Sequence, residues 1–208
     1  MYRTIAKPAV AEFTEKRSRF IGYVRPVTTE EEAAEMLAAL RKEHWDARHH
    51  VSAFVLREGH LHRCSDDGEP QGTAGMPTLD VLQKRDLCDC AVVVVRYFGG
   101  ILLGGGGLVR AYGRAASLAV EAAGIVEMRE ATVGRIACTY AQYGWVAPLI
   151  AAEGGTVDGT SFTDGVELTF TLPQAAWGHL AAELTEKSAG TLSATAIGET
   201  FLAVSVPE

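Results

Sequence analysis

Six glycines fall within nine residues, at Gly99, Gly100, Gly104, Gly105, Gly106 and Gly107, and three arginines, Arg96, Arg110 and Arg114, flank them. Glycine packs no side chain and loses more backbone freedom on folding than any other residue. Such a run calls for compensation: a backbone shape no other residue adopts, or a ligand lying against the backbone. It sits where a β-branched stretch, 91–95, gives way to helical spacing from Leu108 to Ala123. Helix N-termini attract anions through free N–H groups and the axial dipole. The set therefore reads as an anion- or nucleic-acid-binding site for a phosphate, a carboxylate or a nucleic-acid backbone. No Lys follows the glycines as in a P-loop, and no G-x-G-x-x-G fits the turn. The plain alternatives are tight helix-on-strand packing for the glycines and a solvated face for Arg110 and Arg114, whose like charges one turn apart repel.

Asp66, Asp67 and Glu69 place three carboxylates within four residues of a turn-like stretch, Ser65-Asp66-Asp67-Gly68-Glu69-Pro70. They could hold a hard cation, supply a general base, or cap the neighbouring elements. They could also pair with Arg96 or Arg110, joining both motifs in one network. Thr73 is expected to cap the helix that follows. His49 and His50 open a strand, so their side chains point to opposite faces and at most one enters a given cleft. With the carboxylates they form an accessory cleft set. His60, His62 and Cys64 would share a strand face, but their spacing is not that of a zinc site. No metal and no cofactor are expected. No G-x-S-x-G, H-E-x-x-H or paired C-x-x-C is present, so no named hydrolase class is supported and no catalytic residue is assigned.

The elements that must position these groups fall into two parts. In residues 1–130, paired strands are expected over 9–13 and 19–24, and a helix over 30–43 capped by Thr28 or Thr29. Strands follow at 51–56 and 59–64, a short helix at 73–83, a buried strand at 91–95 and an Ala-rich helix at 108–123. Residues 131–208 read strand, helix, strand, strand, helix, strand, with Asp164-Gly165 as the hairpin signal. That order is the ferredoxin-like βαββαβ pattern. The fold class is α+β, with domains at 1–130 and 131–208.

The 208 residues carry a net charge of −7. Beyond residue 130 only Arg135 and Lys187 oppose eight acidic residues. A nucleic-acid contact therefore belongs to the first domain, through a local arginine cluster rather than a basic field. Four cysteines at unrelated spacings are no disulfide framework and suit a reducing cytoplasm. The N-terminus lacks the apolar core of a signal peptide, and the longest uncharged segment, 136–152, is shorter than the roughly 20 apolar residues of a membrane span. A cytoplasmic protein outside the membrane is expected. The sequence leaves the oligomeric state open.

The strings SDDGEPQGTAGMP (Ser65 to Pro77) and VVVVRYFGGILLGGGGLVRAY (Val92 to Tyr112) resemble the two signature segments of the IMPACT/YigZ family. DARHHVSAF (Asp46 to Phe54) and EKRSRFIGY (Glu15 to Tyr23) are similar to its other landmarks. The resemblance covers nearly the whole chain, departing at Gly105-Gly106, where the family more often interrupts the glycine run. It implies a first domain similar to domain two of ribosomal protein S-five and a second similar to a domain of elongation factor G. It also implies a link to translation, since the eukaryotic relatives regulate it, partly through an N-terminal domain not found in this sequence. The combined expectation is a non-enzymatic binding and regulatory protein. It would engage RNA, a ribosome-associated partner or a phosphate-bearing ligand through the first domain. The alternative is a hydrolase or phosphoryl-transfer enzyme using a histidine and carboxylate cleft.

Overall fold

The computed structural model describes residues 1–205. The fold is α+β, as expected, and its chain divides into two compact units, one spanning Tyr2–Glu127 and one spanning Met128–Val204 together with Met1.

The first unit runs β1 (Tyr2–Ile5), β2 (Ala9–Glu15), β3 (Ser18–Pro26), α1 (Glu30–Glu43), β4 (His49–Leu56), β5 (Leu61–Ser65), α2 (Gly75–Lys84), β6 (Cys90–Tyr97) and α3 (Gly105–Ala123). Five strands form an antiparallel sheet in the order β2-β3-β6-β4-β5. The valine run makes β6 the central strand because both of its faces are covered. Cys90, Val92 and Val94 pack with Tyr112, Ala115 and Ala119 of α3 and Leu82 of α2. Ala91, Val93 and Val95 pack on the opposite face with Met36 and Leu40 of α1. Small residues let α3 lie close to the sheet: a Cβ at Gly22 would come 2.4 Å from the Ala115 carbonyl oxygen.

Helix α1 starts as its sequence dictates. Thr29 Oγ1 accepts from the Glu32 N–H at 3.2 Å, and Glu32 Oε2 accepts from the Thr28 N–H. Helix α2 does not. Its N-cap is Ala74, and Thr73 Oγ1 instead donates to the Pro70 carbonyl at 2.6 Å. The Asp66 carboxylate takes over that role from eight residues upstream. It accepts from the N–H groups of Ala74 at 3.0 Å, Gly75 at 2.8 Å and Gly72 at 2.9 Å.

The second unit contains α4 (Tyr140–Ala152), β8 (Thr156–Phe162), β9 (Val166–Pro173), α5 (Trp177–Lys187) and β10 (Thr195–Ser205). Strand β7 (Ile125–Cys138) begins in the first unit and supplies the first strand of this one. The β8–β9 loop carries Asp164-Gly165. The strand order β10-β7-β9-β8, antiparallel at the β7–β9 and β8–β9 contacts, is that of the ferredoxin-like unit. One face of the sheet carries the core: Ile136, Leu168, Phe170 and Leu172 meet Val146 and Ile150 of α4 and Leu180 and Leu184 of α5. Val206, expected to extend the last strand, lies outside the described residues. No helix among the described residues is long and apolar enough to cross a membrane.

Candidate functional site

Cross-strand register lines up Phe20, Arg96 and His49 on β3, β6 and β4. Arg96 is 4% exposed, and the turn after β5 delivers Glu69 to it. Arg96 NH1 donates to Glu69 Oε1 at 2.5 Å, and Tyr112 Oη donates to the same oxygen at 2.7 Å. Arg96 NH2 donates to Ser18 Oγ at 3.3 Å, and Ser18 Oγ also accepts the Gly99 N–H at 3.2 Å. The guanidinium lies 5.3 Å from the Phe20 ring centroid and 5.5 Å from that of Phe98. Burial, reinforced by Glu69, pushes the Tyr112 hydroxyl well above its usual pKa. Arg96 therefore starts out committed to a buried ion pair rather than free for an external anion. Its Nε is the exception: among the described residues it is a buried side-chain polar atom with no hydrogen-bond partner.

The three carboxylates separate by role. Asp66 holds the start of α2; burial pushes its carboxyl up, but the three backbone N–H bonds outweigh that and leave it below the usual range. Asp67 accepts from Arg41 NH2 at 2.6 Å through Oδ1 and from the His50 N–H at 2.6 Å through Oδ2. Glu69 takes Arg96 and Tyr112. They do not converge as a cation site would require, and among the described residues no group of three or more metal-ligating side chains gathers.

The histidines part as strand geometry requires. His50 turns toward α1, with Nε2 donating to the His44 carbonyl at 3.1 Å, and burial pushes its pKa down. His49 turns toward Glu69, its Nε2 lying 3.7 Å from Glu69 Oε1. His49 Nδ1 lies 2.8 Å from the Asp67 carbonyl, which can only accept. Nδ1 therefore carries a proton, and Nε2 is the ring nitrogen that faces Glu69.

Helix α3 opens at Gly104, whose φ of 75° suits glycine, and no side chain caps it. The first-turn N–H groups of Gly105, Gly106 and Gly107 have no intrahelical acceptor. Gly99 is required by contact, since an added Cβ would sit 2.0 Å from the Arg17 carbonyl carbon. Gly105 and Gly106 have neither reason: their φ values are ordinary, and an added Cβ meets nothing closer than 3.9 Å and 3.6 Å. The second of those neighbours is Arg110 NH1, so Arg110 lies over the first turn. Arg110 is exposed and has no ion-pair partner among the described residues. Arg114 lies 4.5 Å from the Phe13 ring centroid. Gly100, with a φ of 83°, turns the loop before the helix.

Two cavities flank this helix start. One, of about 340 Å³, is walled by His49, Glu69, Arg96, Phe98, Gly104 and Gly105, with Pro70, Leu102, Leu103, Leu108 and Arg48 completing it. The other, of about 260 Å³, is basic, with Lys16, Arg110 and Arg114 around Phe13 and Gly107. Ser18, Tyr112, Arg41 and Phe98 escaped the sequence reading. Tyr112 and Ser18 both lie inside the strings that carry the family resemblance, which was the one signal pointing to them.

The Impact N-terminal domain matches residues 16–120, and a domain of unknown function, DUF1949, matches residues 136–191. This chain belongs to the IMPACT family. IMPACT family member YvyE of Bacillus subtilis is 45% identical over 149 residues, covering 71% of this chain and 67% of the relative. IMPACT family member YigZ of Escherichia coli is 36% identical over 187 residues, covering 88% and 92%. A solved structure described as a hypothetical protein is 34% identical, with a TM-score of 0.58 over 95% of this chain and 97% of its own. The two segments that carry the resemblance, 65–77 and 92–112, meet where Glu69 pairs with Arg96.

Proposed function

We propose that this IMPACT family member is a binding and regulatory protein of translation that holds a phosphate-bearing ligand or an RNA at the start of α3. The observation that carries the reading is an uncapped helix N-terminus covered by one unpaired arginine, Arg110. The N–H groups of Gly105 to Gly107 supply hydrogen bonds, and Arg110 and Arg114 supply charge. Glu69 neutralises Arg96, which lines the cleft with Gly104 and Gly105. The translation link rests on the resemblance to the eukaryotic regulators. The domain division at residue 130 belongs to the same reading, with binding assigned to the first domain.

Titration with inorganic phosphate tests it. Arg110→Ala should weaken binding by about 1.5–3 kcal/mol, the range for hydrogen bonds to charged groups. The melting temperature should stay nearly unchanged, because an exposed unpaired arginine contributes little to folding. For single-stranded RNA, two phosphate contacts give a log–log salt slope of about −1.4. Binding that ignores salt and Arg110 would overturn the reading.

A second reading has one observation in its favour. His49 and Glu69 share the 340 Å³ cleft with Gly104 and Gly105, so a histidine, a carboxylate and the glycine run meet in one concavity. As a phosphoester hydrolase, the protein would use His49 Nε2 as the base and the α3 N-terminus to stabilise charge. Release of p-nitrophenol from p-nitrophenyl phosphate, abolished in His49→Ala, is its test.

A further inference from the structure

We propose that the 340 Å³ cleft accepts a nucleoside phosphate, with its phosphate on the first turn of α3 and its base against Phe98 and Leu102. The inference rests on the anion reading above and names the ligand that would exploit the rest of the cleft. A bare phosphate on the first turn, where Gly105 lines this cleft and Gly107 and Arg110 line the neighbouring one, would leave the adjoining walls unused. Those walls are apolar: Phe98 is 40% exposed and Leu102 81% exposed, beside Leu103, Leu108 and Pro70. Together with those neighbours they form an apolar patch beside the charged helix start, a surface that a flat apolar group would cover. Nucleobases stack on aromatic faces irrespective of sequence.

Polar groups at the back of the cleft fit a base edge. Arg96 lines the cavity, with NH1 and NH2 turned to Glu69 and Ser18 and its Nε covered beneath that wall. His49 Nε2 and Glu69 Oε1 lie 3.7 Å apart on the same wall. A nucleobase edge carries both donors and acceptors, so it can answer such a set where a simple aliphatic phosphate cannot. The open positions at Gly105 and Gly106 leave the backbone of the helix start accessible in this chain. Neither backbone conformation nor packing requires glycine there, and without a Cβ the N–H groups of the first turn stay open to a phosphate. The volume falls at the lower end of the roughly 300–1,000 Å³ of small-ligand pockets, enough for one nucleotide. The neighbouring basic cavity shares Leu103 with the cleft, so Arg110 would reach the phosphate from there while Lys16 and Arg114 would meet the next phosphate of a strand. The ligand source is therefore a free mononucleotide or the terminal nucleotide of a single strand.

Calorimetric titration of the full chain with inorganic phosphate, ribose 5-phosphate, AMP and a six-nucleotide oligoadenylate separates the outcomes. AMP is expected to bind at least tenfold more tightly than phosphate or ribose 5-phosphate. Phe98→Ala should reduce AMP to the affinity of ribose 5-phosphate while leaving phosphate binding intact. Phe98→Leu, which keeps apolar contact, serves if the alanine variant does not fold, and should lose part of the same advantage. Phosphate and AMP binding equally, both lost in Arg110→Ala, would overturn the nucleoside inference and leave the anion reading standing. Binding of neither would overturn both. An oligoadenylate affinity well above that of AMP assigns the site to a strand end; equal affinities assign it to the free nucleotide.

Discussion

Arg96 and Glu69 form an ion pair 2.5 Å long, with side chains 5% and 4% exposed. It joins the central strand to the carboxylate-rich turn and thereby fixes one wall of the cleft. Breaking a buried pair leaves an uncompensated charge, at a cost of about 3–5 kcal/mol. Arg96→Ala and Glu69→Ala should each lose that much in urea unfolding. Arg96→Met combined with Glu69→Leu should lose less than either, because no charge is left stranded. Additive losses in the double variant would contradict the pairing.

Gly105→Ala should raise stability by up to about 1 kcal/mol, since alanine is favoured over glycine inside a helix and the new Cβ has room. The same change should weaken phosphate binding by covering the backbone. Gly99→Ala should do the opposite to folding, because its Cβ would overlap the Arg17 backbone. A Gly105→Ala variant that is more stable and binds phosphate normally would remove the backbone from the site.

Asp66→Ala should destabilise the protein by about 2 kcal/mol, the upper end for losing a helix cap, because three N–H groups lose their acceptor. Asp66→Asn should recover part of it, and Thr73→Ala should cost much less. Thermal melts of the three variants check the ranking.

Burial holds the pKa of His50 below its ordinary 6.5, so the folded state favours the neutral ring. The unfolded chain takes up its proton first as pH falls through about 6.5. Stability from this group is thus full above that value and is lost as pH drops through the lower folded pKa. His50→Gln should flatten this part of the stability profile below about pH 6.5. An unchanged slope would exclude His50 as its source.

A fragment of residues 131–208 should fold alone. Every residue of its core, from Ile136 to Leu192, lies within it. Far-ultraviolet circular dichroism should report mixed helix and strand with a cooperative melt, and a disordered spectrum would overturn the domain boundary.

The α+β class, the βαββαβ tail and the capping of α1 were legible in the sequence because each rests on local signals. Asp164-Gly165 turns one hairpin, Thr29 and Glu32 lie three residues apart, and valines alternate across a single strand. The glycine run likewise announced a helix start, and the histidines could only part to opposite faces. Tertiary structure alone decided what each charged group does. Asp66 displaced Thr73 as the cap of α2 because the turn brought a full carboxylate to three N–H groups, a stronger acceptor than one hydroxyl. Arg96 became half of a buried pair because Glu69, 27 residues away, and Ser18, 78 residues away, converge on it. No periodicity registers such separations. Arg110 was left exposed by the same packing that buried Arg96: it falls on the outer side of α3, while β6 is covered on both faces.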